Sequence, residues 1–384
     1  LKRALENDTL TFAVNKELNK ENMSQQVSAR TILNYALESV LPEPALRRFV
    51  SLDEATNILT VDGKAYNLNN FNRIIMVGGG KAGRRTGSAL VNVLGSRITA
   101  GVLNVYLEQA KEPISDKVQL FGANHPTPNQ AGVEGARKMI ELLMSADEKT
   151  LVIALISGGG SSLMAVPIKS VTLQDYIDIS NLLLTVPATI DEINAVRKHI
   201  DPLKGGGMRK FAQNAGGFIS LVLSDVPVTK TGVVDDPSVI SSGPTVGDNS
   251  TFESAKGVLV GHGIWEQVPL AIRQYFEENL GKEENETLRR DSPLLIEDRS
   301  QYVIIANNDQ AMEAAGEKAK ELGYTVHLIG CRTGSVADKV KVEVSVAIEY
   351  IWKVVEPYLQ DNDQVTFASF STDGIDGHSD LAGA

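Results

Sequence analysis

Two glycine-rich turns hold the residues best suited to chemistry. The first, VGGGKAG, puts Gly78, Gly79 and Gly80 directly after an apolar run, with Lys81 and Gly83 following. Gly78, Gly80 and Gly83 satisfy G-x-G-x-x-G, a strand-to-helix turn whose free amides and helix dipole can face a bound anion. Lys81 adds a cation that would neutralise a phosphate or carboxylate at close range. Without it, the glycines serve equally as a tight structural corner. The turn is not a Walker A loop, because Ala82 stands where Ser or Thr would bind magnesium. The second turn, ISGGGSSLM, interleaves hydroxyls with glycines. Ser157, Gly158, Gly159, Gly160, Ser161 and Ser162 offer side-chain and backbone donors to a polyphosphate. Leu163 occupies the third-glycine position, which counts against a second dinucleotide fold.

Carboxylates and cations recur in three further segments. LSDV ends an apolar run with Asp225, and the stretch continues through Asp235, Asp236, Ser241, Ser242, Gly243 and Asp248. Asp225 stands where an α/β crevice holds Mg²⁺ through oxygen ligands, whereas Asp248 reads as a solvated turn residue. DEINAVRKHIDPLKGGGM brings Arg197, Lys198, His199 and Lys204 close to three glycines. Those cations either clamp a substrate carboxylate or transferred phosphate, or form the solvated face of a helix. STDGIDGHSD carries Asp373, Asp376 and Asp380 after an apolar run and suits a metal or a hydroxyl substrate, while His378 reads as an exposed turn residue.

These residues need a scaffold that presents strand ends together. Apolar runs at 73–77, 101–107, 118–123, 151–156, 218–223, 302–306, 325–330 and 365–371 are followed by turns and helical patterns, the grammar of a parallel sheet covered by helices. Ahead of them, Val27, Ile32, Leu33, Ala36, Leu37, Val40 and Leu41 recur at a helical period before Pro42. That helix can seal either a core or a homodimer. Alternation around Asp62-Gly63 predicts a two-residue hairpin. The charge-dense segment 277–301 can sit in water and predicts a boundary between a domain at 1–280 and a smaller one at 300–384; the alternative is a charged surface loop inside one domain.

Composition narrows the partners. Lys+Arg 37 against Asp+Glu 48 gives a net charge of −11, which disfavours duplex DNA and anionic lipid. Cys331 is the single cysteine, so no internal disulfide forms. No apolar run approaches the roughly 20 residues that span a bilayer. The first thirty residues lack the apolar core of a secretory signal, so a cytoplasmic protein is expected.

Taken together, the segments VGGGKAG, NHPTPN, LISGGGSSLM, DEINAVRKHI, KGGGM, LSDV, DDPSVISSGPT, IIANN and STDGIDG resemble the glycerate kinases that combine an N-terminal Rossmann-like domain with a C-terminal MOFRL domain. They occur in the family's order across residues 25–384. The resemblance implies an α/β fold with a Rossmann-like three-layer N-terminal domain and a smaller α/β C-terminal domain. It also implies ATP-dependent, Mg²⁺-assisted phosphorylation of D-glycerate, on family grounds at the 2-hydroxyl. Lys81 matches the lysine of the first loop and is carried over as catalytic with Arg197; residues 78–80 and 157–162 match the nucleotide-binding loops. Lys204, Asp236 and Asp373 fall at substrate positions and Asp225 at the metal position. The family's GGE and GGRNQE segments are missing: Val340 runs straight into Lys341, Val342 and Glu343.

Two other functions compete. A reductase acting on hydroxypyruvate with NAD(P)H would use the same G-x-G-x-x-G, but that fingerprint wants an acid about 20 residues on. Glu108, 25 residues past Gly83, is the nearest. A non-catalytic sensor that binds a sugar acid is the other.

Overall fold

The computed structural model of the protein describes residues 20–226, 233–296, 299–324 and 326. Helix α1 (Lys20–Ser39) ends three residues before Pro42, which opens α2 (Pro42–Phe49). A proline fits there because the first helical N–H has no partner to lose. An antiparallel meander follows: β1 (Val50–Asp53), β2 (Ile58–Val61) and β3 (Lys64–Asn67). Asp62 and Gly63, at φ 45° and 76°, form the expected hairpin turn between β2 and β3.

The main sheet begins at β4 (Arg73–Gly79), which leads through the first glycine turn into α3 (Gly83–Leu94). Then come β5 (Ala100–Tyr106), β6 (Val118–Ala123), α4 (Gln130–Met144) and β7 (Thr150–Ser157). The second glycine turn enters α5 (Gly160–Leu163), followed by α6 (Leu173–Leu184), α7 (Ile190–Ile200), α8 (Gly207–Phe211) and β8 (Gly217–Leu223). After α9 (Phe252–Gly261) and α10 (Leu270–Asn279) the chain returns as β9 (Ser300–Ala306) and continues into α11 (Asn308–Glu321).

Strand order is β6-β5-β4-β7-β8-β9, with β4, β5, β6, β7 and β8 paired in parallel. In order of appearance this is 3-2-1-4-5-6, the doubly wound arrangement whose switch point lies between the first and fourth strands. Those strands are β4 and β7, and each ends in one of the two glycine turns.

Period-two burial explains the layers. Leu103 and Val105, Leu151, Ile153 and Leu155, and Ile219 and Leu221 point to one face, where they pack with Leu90 and Leu94 of α3 and Val50, Leu59 and Val61 of the meander. Asn104 has the opposite parity and meets Gly135 of α4, so helices cover both faces. A second core joins Tyr176, Ile179 and Leu183 of α6 to Val196 and Ile200 of α7 and Phe252 and Leu259 of α9.

The chain divides into two compact units, one of Ala45–Ser224 and Asp236–Ile305, the other of Leu1–Pro44, Asp225–Asp235 and Ala306–Ala384. The first holds the sheet. Segment 277–301 lies inside it and is largely exposed, as its charge implies, but Glu286 and Leu288 are buried, and β9 beyond it takes the edge beside β8. In the other unit, α11 packs along α1, with the Lys318 ammonium 5.0 Å from the Tyr35 ring. The expected strands at 325–330 and 365–371, and most of the smaller domain, fall outside the described residues. No helix among the described residues is long and apolar enough to cross a membrane.

Candidate active site

The first glycine turn is built by spending its own amides. Gly80 donates to the Asn104 carbonyl at 3.2 Å, Lys81 to Gly158 at 2.8 Å and Gly83 to Gly80 at 3.0 Å. Ala82 donates to Ser157 Oγ at 3.1 Å. The amides of residues 80–83 are therefore not free as expected: the second turn takes up those of Lys81 and Ala82, β5 that of Gly80, and the first turn itself that of Gly83. Gly78 and Gly79 lie in β4, within its ladder. Gly80 is obligatory, because at φ 124° a Cβ would sit 2.3 Å from Ser157 Oγ.

The second turn keeps donors in hand. Among the described residues, the amides of Gly159, Gly160 and Ser161 have no hydrogen-bond acceptor, whereas Ser162 and Leu163 both donate to the Gly159 carbonyl at 3.1 Å. Gly159 adopts φ 77°, and the Lys81 side chain runs beneath it, its Cγ and Cε 3.0 and 3.3 Å from where a Cβ would be. His125 of the NHPTPN turn borders the same point, with its Cδ2 3.2 Å away. Lys81, Ser157 and residues 158–162 thus meet at the switch point of the sheet.

Asn104 ties the two turns together. Its Nδ2 donates to the carbonyls of Gly132 and Leu163, each at 2.7 Å, while its backbone carbonyl accepts from Gly80. The residue escaped sequence reasoning, although a lone amide inside the apolar run at 101–107 is the signal that marks it.

A third element backs the second turn. Ser241, Ser242 and Gly243 stand in succession at φ 52°, 62° and 61°. Serines occupy that left-handed region only when their surroundings hold them there. The Ser241 hydroxyl donates to the Ser157 carbonyl at 2.8 Å, and Ser242 Oγ lies 2.9 Å from Ser161 Oγ. Asp236 supports the approach to this turn, accepting from the backbone and hydroxyl of Ser238, both at 2.8 Å.

Helix α7 starts at a capping box: Thr189 accepts from the Glu192 amide at 3.2 Å and Glu192 Oε2 from that of Thr189 at 2.7 Å. Its cations are neither solvated nor uniformly available. Lys198 is buried against Asp248 at 2.8 Å, so the aspartate expected in a solvated turn is an interior partner. His199 Nε2 meets Glu286 at 2.9 Å, also buried. Lys204 lies over the Tyr176 ring and pairs with Asp201. Burial alone would lower the Lys204 ammonium, but Asp201 and Tyr176 carry its pKa above the ordinary lysine value. Arg197 differs: its Nε is buried with no hydrogen-bond partner among the described residues. Asn194, one turn earlier, shares that condition at Nδ2.

Asp225 follows β8 by two residues and belongs to the unit that does not hold the sheet, and Asp373 lies outside the described residues.

Known proteins resemble this chain in sequence and fold. A glycerate 2-kinase of Pyrococcus horikoshii is 33% identical over 78% of this chain and 63% of its own length. The crystal structure of the PH0495 protein from Pyrococcus horikoshii OT3 superposes with a TM-score of 0.67 at 32% identity, covering 78% of this chain and 64% of that one. That of a glycerate kinase from Thermotoga maritima gives 0.65 at 29% identity, covering 80% and 65%. The chain spans less than two thirds of the length of the curated relatives it matches. Residues 28–277 match the family described as Domain of unknown function (DUF4147), and with the strand order and paired glycine turns in place, the chain belongs to that family.

Proposed function

We propose that the chain transfers the terminal phosphoryl group of ATP to D-glycerate with the help of Mg²⁺, the 2-hydroxyl being the acceptor. What supports this most is the division of labour between the turns. The first spends its amides on structure, the second leaves those of Gly159, Gly160 and Ser161 for phosphate oxygens, and Lys81 runs alongside. The glycerate 2-kinase name of the Pyrococcus horikoshii relative supports the choice of acceptor.

Phosphoryl transfer demands positioning and charge stabilisation more than covalent help from the protein. Gly159, Gly160 and Ser161 hold the phosphates, and Lys81 meets the charge that gathers on the moving group. Arg197 grips the carboxylate of the acid. Mg²⁺, when bound, neutralises charge between neighbouring phosphates. Among the described residues no group of three or more His, Cys, Asp or Glu is placed to hold a metal. Mg²⁺ commonly takes one or two carboxylates together with the substrate's own oxygens, so the triphosphate itself would carry much of the ion's coordination.

Phosphorus NMR after incubation with D-glycerate, ATP and Mg²⁺ tests the proposal. The expected products are 2-phosphoglycerate and ADP; unchanged ATP overturns the activity, and 3-phosphoglycerate overturns the position. Hydride transfer to hydroxypyruvate draws on the same strand order, which is that of nicotinamide-binding folds. Against it, the amides of residues 80–83 are already occupied, and Glu108 is exposed and paired with Lys111. Parallel titrations with NADH and Mg·ATP separate the two, because a single nucleotide class should bind tightly.

A further inference from the structure

Asn194 is 2% exposed, and its Oδ1 accepts from the Ser242 hydroxyl at 2.8 Å. A serine hydroxyl carries one proton. Since Ser242 gives its own to Asn194, Ser161 is the donor across the 2.9 Å between the two serines. This relay begins on the second glycine turn and ends by fixing which way the Asn194 amide faces. Nδ2 is left with two N–H donors, sealed from water and without an acceptor among the described residues. Buried donors are rarely left in that state unless a ligand, an ion or an ordered water completes them. Arg197 Nε, three residues on and so on the same face of α7, is equally unmatched. The other cations of this stretch already face Asp248, Glu286 and Asp201.

We infer that Asn194 is a ligand-binding residue whose amide nitrogen donates to a substrate oxyanion, and that Ser242 is its positioning residue. The inference rests on the phosphotransfer reading above. The shared chemistry is an oxygen acceptor bearing negative charge, supplied either by the carboxylate of the acid or by a phosphate of the nucleotide. A purely architectural Asn194 would need only Oδ1, which aspartate also provides. An oxyanion anchor needs the N–H groups, which aspartate replaces with a repelling charge.

Asn194→Asp therefore distinguishes the two roles. The full chain, as wild type, N194D and S242A, is titrated calorimetrically with D-glycerate and separately with Mg²⁺ and a non-hydrolysable ATP analogue, each protein being checked by thermal melting. N194D should weaken one ligand by at least about tenfold while the fold is kept. Loss on D-glycerate identifies the carboxylate as the anion, and loss on the nucleotide identifies the phosphate. S242A, which frees the amide without touching the ligand, should weaken the same ligand by about threefold. N194D that binds both ligands as the wild type does overturns the inference. If N194D does not fold, S242A decides, and unchanged binding by S242A overturns it. A wild type that binds neither ligand overturns the phosphotransfer reading and this inference with it.

Discussion

The backbone amide of Lys81 donates to the carbonyl of Gly158 across 2.8 Å. The residue that offers an ammonium to the site is thereby anchored, through its main chain, to the turn that offers amides. Charge and dipoles are positioned relative to each other before any ligand arrives, which is the condition for electrostatic stabilisation without reorganisation.

Removing that ammonium should cost turnover and little stability. Lys81→Ala is expected to lower kcat by about a hundredfold or more, as loss of a transition-state stabiliser does. The melting curve should be unchanged, because the main-chain bond to Gly158 survives. Steady-state ADP release with D-glycerate as acceptor measures it, and near wild-type kcat would remove Lys81 from the chemistry.

Gly80→Ala acts on the structure. The new Cβ would lie 2.3 Å from Ser157 Oγ and 2.4 Å from its carbonyl oxygen, on a backbone at φ 124°. We expect a loss of about 3 kcal/mol or more. Urea denaturation checks it: the midpoint should fall with the slope unchanged.

Asn104→Asp keeps the shape and inverts the polarity. The carbonyls of Gly132 and Leu163 would then face a carboxylate where they now receive N–H groups. A loss of about 2–5 kcal/mol follows from two buried acceptors left unmatched. Asn104→Ala should be milder, and the order of the two melting temperatures is the test.

Asp248 sets an acid limit on stability. Burial would raise its pKa, but Lys198, Ser250 and Thr287 outweigh that and hold it below the ordinary carboxylate value. A carboxyl that binds its proton less readily when folded stabilises the protein above its unfolded pKa of about 3.9, and that contribution drains away as pH falls through the folded value. Asp248→Asn leaves the Lys198 ammonium buried without its counter-charge, at a cost of about 3–5 kcal/mol at neutral pH. Denaturant titrations at pH 7 and between pH 5 and 2 should show that deficit shrinking toward acid. A constant deficit would contradict it.

What the sequence made legible was whatever is local. The apolar runs at 118–123 and 151–156 became β6 and β7, and Asp62-Gly63 became the hairpin turn, because strand periodicity and turn conformation are settled within a few residues. Both glycine turns were visible for the same reason. Hidden from it were the pairings that decide which groups are free. His199 finds Glu286 across 87 residues and Lys198 finds Asp248 across 50, so a basic stretch that looks solvated is an interior of matched charges. The consumption of the first turn's amides was equally hidden, since Gly158 comes to it from the turn after β7 and Asn104 from β5. Segment 277–301 is mostly exposed, as its charges suggest, but composition does not reveal that Glu286 accepts from the Phe252 amide at 3.1 Å and from His199 inside the protein.

Three successive left-handed residues at Ser241, Ser242 and Gly243 also bear on the order in which the protein assembles. An isolated peptide of this sequence would avoid that conformation, so nothing local can nucleate it. It is imposed by Ser157, Ser161 and Asn194, which must already be in place. This turn is then among the last pieces to settle on folding and the first to let go, opening at a lower free energy than the strands behind it. Amide exchange should find Ser242 and Gly243 trading protons well before β7 does.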